Sequence, residues 1–132
     1  MKREDTFTTL FTNPQPTRLG FRGHAETDFD YMNSHADVPV VAARTLLEGW
    51  YGRYPVAHRE DLARRFRNKN PNQHSGAFWE LYLHELFLRI GYGIEVHSAI
   101  AGSDARPDFL LLRDGQPVAV VEARLAGVET DE

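Results

Sequence analysis

Two runs of strand-forming apolar residues, Phe109 to Leu112 and Val118 to Val121, flank Asp114-Gly115 near the C-terminal end of the chain. Asp-Gly is a strong hairpin signal because both turn residues must tolerate positive φ. The spacing therefore predicts a β-hairpin over 106–124. A three-residue loop sets Asp108 directly opposite Glu122, and a two-residue loop shifts it by one position. Upstream the period changes to three and four: Val40, Ala43, Leu47 and Trp50, with Tyr54 just beyond, predict a helix opened by Asp37-Val38-Pro39 and running to about Gly52. After Pro55 a shorter helix is expected over 57–67, with Leu62 and Phe66 facing inward. Residues 70–74 read as a loop and Ser75 as the cap of a central helix over 76–90, closed by Gly91 in the left-handed region. Phe78, Leu81, Leu86, Leu88 and Ile90 spread around that helix, so it is expected to be nearly surrounded. Ile94 to Ile100 read as a strand with Ile94 and Val96 on one face.

Residues 1–36 show neither period. Their aromatics (Phe7, Phe11, Phe21, Phe29, Tyr31) predict an arm that docks on the rest of the domain or on a second subunit, because a solvated tail rarely carries so many. The chain thus divides into an arm over 1–36, a helical subdomain over 37–70 and an α/β core over 71–132. The strands are apolar enough to want cover on both sides, which predicts a homodimer or a packed N-terminal helical layer.

Composition narrows this picture. The 132 residues are 42% hydrophobic and 11% aromatic, enough for one folded domain. There is no cysteine, so a metal would be held by oxygen or histidine ligands, which favours Mg²⁺ or Mn²⁺. No long apolar run and no apolar leader is present, so the expectation is a cytoplasmic protein without a membrane partner. The net charge of −4 is unevenly spread: residues 58–70 hold five Arg or Lys against two acids, while residues 71–132 hold four against ten.

The acids concentrate where the chemistry is expected. Asp108, Glu122 and Arg124 converge at the end of the hairpin away from its turn. Opposed carboxylates beside Val and Leu repel unless a cation separates them, which points to a divalent metal site. The alternative is a strand-entry Asp108 with Glu122 and Arg124 as a solvated edge pair. Glu80 and His84, four apart on one helix face, form a second candidate: Glu80 binds metal or water, or the two make an ordinary helix pair. Glu85 reads as exposed or structural and His97 as a structural histidine. Arg59, Arg64, Arg65, Arg67 and Lys69 form a basic cluster that is either a solvated helix face or a nucleic-acid backbone contact.

Pro107-Asp108, followed fourteen residues beyond Asp108 by Glu122-Ala123-Arg124, resembles the Pro-Asp...(Asp/Glu)-x-Lys signature of the restriction-endonuclease-like nuclease superfamily. The helix before it, with Trp79-Glu80 early and Gly91-Tyr92 at its end, is similar to Mrr-type restriction nucleases in order and content. The resemblance covers roughly residues 75–126. It implies an α/β fold with a restriction-endonuclease-like core, a helix followed by three mixed strands, here preceded by two N-terminal helices and cut short at its C-terminal end. It also implies Mg²⁺-dependent hydrolysis of DNA phosphodiester bonds, with Asp108, Glu122 and Glu80 as metal-associated acids and Arg124 at the phosphate. Arg124 stands where the family has Lys; it keeps the charge, but its pKa is too high to accept a proton. A catalytically inactive nuclease-fold module for nucleic-acid or protein binding is the competing expectation, and a core completed by a further region of a longer protein is compatible with either.

Overall fold

The backbone groups of residues 6–11 are gripped rather than self-paired. In the computed structural model, which describes residues 6–100 and 102–126, the arm lies on the helices. Glu48 accepts hydrogen bonds from the N–H groups of Leu10 (3.1 Å) and Phe11 (2.7 Å). Arg67 donates to the carbonyls of Leu10, Thr6 and Thr9. Leu10, Phe11 and Phe29 are buried, and the Phe11, Phe29 and Phe66 rings pack with centroids 5.6–5.9 Å apart. The arm therefore docks on its own domain. It also contains a helix its aperiodic sequence did not announce, α1 (Asp28–Ser34), capped by Thr27.

Helix α2 (Val38–Arg53) starts at Asp37 as expected, with Pro39 in its first turn. Its buried stripe is Leu47 and Tyr51, continued by Tyr54; Val40, Ala43 and Trp50 are half-buried. Helix α3 (Val56–Phe66) buries Leu62, Ala63 and Phe66. The central helix, α4 (Pro71–Ile90), begins five residues earlier than the Ser75 cap predicts. Asn70 accepts the Asn72 N–H at 2.9 Å and Pro71 fills the first helical position, so Asn70-Pro71 is a start signal rather than a loop. Gly91 ends α4 with φ 108°, as its position predicts. The far end of α4 is less enclosed than expected: Leu86, Leu88 and Ile90 are exposed.

Strands β1 (Gly93–Val96), β2 (Phe109–Arg113) and β3 (Gln116–Val121) form one sheet in that order. The sheet is antiparallel throughout, not mixed. Four helices and a three-stranded antiparallel sheet make this an α/β structure among the described residues. The hairpin turns through Asp114 (φ 51°) and Gly115 (φ 77°), the double positive φ of a type I′ turn. A bulge between Leu111 and Leu112 then shifts the register by one, so Phe109 pairs with Val121. The two-residue turn and the bulge together restore the register that a three-residue loop would set.

Phe109 and Leu111 bury against α4, where Phe109 meets the rings of His84 and Phe87. Tyr54 packs on the other contact of His84, with centroids 5.0 Å apart, so α4 joins the helical layer to the sheet. The N-terminal helices do not cover the opposite face of the sheet, where Val118 and Val120 are each 53% exposed. No helix among the described residues is long and apolar enough to cross a membrane.

Candidate metal centre

Glu80 projects from the third turn of α4 and is 7% exposed. A lone buried carboxylate is costly, so its partners matter. Arg65 of α3 forms an ion pair with its Oε2, without the alignment of a hydrogen bond. Arg65 is shared, since it also reaches Asp61 at 3.0 Å. Burial pushes the Glu80 carboxyl up to about 7; Arg65 opposes this and Asp108 adds to it. Burial is the main cause, so ionising Glu80 here carries a desolvation cost that a bound cation would offset.

Asp108 immediately precedes β2. Strict alternation would turn it away from α4 with Leu110, but it lies before the first paired residue and is free to bend toward the helix. Its Oδ2 accepts the Ala123 N–H at 2.7 Å and its carbonyl accepts the His97 N–H at 3.2 Å. The carboxylate is thus held by backbone from both neighbouring segments.

His97 completes the group. From the sequence it reads as a structural histidine, the commoner role of a lone histidine, within a strand expected to reach Ile100. The strand instead stops at Val96, and His97 adopts φ 51°, a left-handed conformation rare outside glycine. That break in alternation turns the ring toward α4. Ligand atoms of Glu80, His97 and Asp108 all lie within 4.8 Å of one another, the one such trio among the described residues. The sequence signal was present in the register: His97 stands opposite Asp108 one step past the Val96–Phe109 pair. His58 of α3 packs edge-on against the His97 ring, with centroids 5.5 Å apart.

Glu80 and Asp108, but not His97, border a cleft of about 360 Å³ lined also by Arg65, Asn72, Gln73 and Ala123. Asn72 and Gln73 belong to the first turn of α4, where N–H groups lack intrahelical partners and the helix dipole favours anions. Two carboxylate oxygens and an imidazole nitrogen suit a divalent cation, and the Arg65 and helix terminus suit the phosphate such a cation would engage.

Glu122 and Arg124 stand outside the trio. Glu122 accepts from Arg124 at 2.7 Å, and the pair lines an adjoining cavity of about 340 Å³ with Trp79 and Leu83. Beyond Val121 it is the Ala123 amide, not the Glu122 side chain, that meets Asp108. His84 does not pair with Glu80; it packs between Tyr54 and Phe109, its Nδ1 without a hydrogen bond. Burial lowers its pKa, against the pull of Glu85.

Most of the basic cluster has structural partners. Arg59 donates to the carbonyls of Tyr54 and Gly52, Arg64 pairs with Glu60, and Arg67 holds the arm. Lys69 lines a separate cavity with Arg22 and His24. Of the five, Arg65 alone borders the metal cleft. In comparison with known proteins, the chain matches no family model, no curated protein and no solved structure.

Proposed function

We propose that the Glu80–His97–Asp108 group is the site of a metal-dependent phosphodiester hydrolase with a restriction-endonuclease-like core, acting on DNA. The convergence of those three side chains from α4, the end of β1 and the start of β2 is the observation that carries the reading. Glu80 and Asp108 supply the charge that retains a divalent ion, for which Mg²⁺ or Mn²⁺ is the starting assignment. When bound, that ion supplies Lewis acidity toward a phosphate oxygen and acidifies a water for attack. Arg65, drawn from Glu80 once a cation balances that carboxylate, offers its guanidinium to the phosphate. DNA cleavage with Mg²⁺ or Mn²⁺ tests the reading: Asp108→Ala should abolish it, and metal-dependent cleavage that survives this change would overturn the site.

One observation favours the competing reading of a nuclease-fold module that binds without cleaving. Glu122 and Arg124, which the family resemblance places at the metal and the phosphate, are paired with each other. If no nuclease activity is found with any divalent ion while DNA still binds, this second reading stands.

A further inference from the structure

We infer that the Glu80–His97–Asp108 group selects a first-row transition ion such as Mn²⁺, Co²⁺ or Zn²⁺ over Mg²⁺, with the His97 imidazole as the selecting ligand. The inference rests on the metal site proposed above and deepens it by naming the class of ion.

The argument is one of ligand chemistry. Mg²⁺ is a hard cation that prefers oxygen donors and keeps much of its water, so a site built for it needs carboxylates alone. Imidazole adds little for Mg²⁺ but strengthens binding of Mn²⁺, Co²⁺ and Zn²⁺. His97 offers a ring nitrogen within 4.8 Å of the Glu80 and Asp108 oxygens, so the donor set is two oxygens and one nitrogen.

The position of this ring is held by the backbone at a conformational cost. His97 sits at φ 51°, where a glycine would be unstrained, and its N–H is tied to the Asp108 carbonyl. The His58 ring buttresses it from α3.

The same strain supplies a clean test. His97→Gly removes the imidazole yet suits the observed backbone, so the variant folds. Thermal melting is measured with MgCl₂, MnCl₂, CoCl₂ and ZnCl₂ separately, and the visible absorption of the Co²⁺ form is recorded, for the natural protein, His97→Gly and Asp108→Asn. The expected result is tighter binding of Co²⁺ and Mn²⁺ than of Mg²⁺ by the natural protein. His97→Gly should lose about tenfold or more in Co²⁺ affinity, with a changed Co²⁺ spectrum and little change toward Mg²⁺. Asp108→Asn should weaken all the ions. If Mg²⁺ and Co²⁺ bind equally well, or His97→Gly leaves Co²⁺ binding unchanged, while Asp108→Asn still abolishes binding, the selection by His97 is refuted and the metal site survives. If none of the ions binds, or binding ignores Asp108→Asn, both fall.

Discussion

Two buried glutamates on one helix, Glu80 and Glu85, show how the same side chain is made structural in one place and reactive in another. Both are more than nine-tenths buried on α4. Glu85 is met by two arginines: Arg53 donates from Nε at 2.8 Å with Nη2 at 2.7 Å, and Arg89 donates from one turn later at 3.1 Å. Burial raises its pKa, but the hydrogen bonds from Arg53 and Arg89 outweigh that and hold it below the usual carboxylate range. Glu80 has one shared arginine and a neighbouring acid, and its pKa moves the other way. Burial alone thus does not mark a site. The unequal supply of counter-charge does, and it marks Glu80.

The largest effect that sharpens this comparison is catalytic. If the proposed hydrolase activity holds, loss of the Asp108 carboxylate removes an oxygen from the candidate metal group, and Asp108→Ala should lower cleavage by at least about a hundredfold, since metal stabilisation of a transition state is worth several kcal/mol and each 1.36 kcal/mol is tenfold. A rate within threefold of the natural protein would break it. Next is Glu85→Ala, which strands two arginine contacts and should destabilise the fold by about 1–3 kcal/mol in urea titration. An unchanged unfolding midpoint would show that the two-arginine grip is not structural.

The pH response should follow Glu85. Its folded pKa lies below its unfolded value, so its stabilisation is full above about pH 4.3, the ordinary value for Glu, and is lost as pH falls through the depressed folded value. Melting temperature should therefore drop in that acid window, and less so in Glu85→Gln. Glu80→Gln should do the opposite of Glu85→Gln in the metal-free protein: relief of an under-balanced charge leaves stability unchanged or raises it by up to about 1 kcal/mol. The smallest effect is expected at Arg124→Ala, within about 0.5 kcal/mol of the natural protein, because its pair with Glu122 is surface-exposed. Melting curves that rank these variants differently would refute the assignment of roles.

Helix existence was largely readable from periodicity. Asp37-Val38-Pro39 and Asn70-Pro71 use the same capping chemistry, yet the second was passed over because Ser75 offered a competing cap closer to the apolar run. The hairpin was legible through Asp114-Gly115, and its turn type follows from local sterics. The bulge between Leu111 and Leu112 was not, because it depends on how the sheet packs against α4 and not on the turn residues. At the site, Glu80 and Asp108 were legible as chemistry. His97 reads as structural because a lone histidine usually is, and its left-handed backbone is not visible in the sequence. Glu122 draws attention through its spacing from Asp108, but the ladder ends at Val121 and beyond it the side chain meets Arg124 instead.

The grip on the arm has a consequence for how this protein tolerates change. Glu48 and Arg67 hold amide hydrogens and carbonyl oxygens of Thr6, Thr9, Leu10 and Phe11, not their side chains. The clasp is therefore blind to side-chain identity wherever the residue is not itself buried: drift at Thr6 or Thr9 leaves it closed, whereas proline at position 10 or 11, lacking the hydrogen that Glu48 accepts, removes one of its five hydrogen bonds.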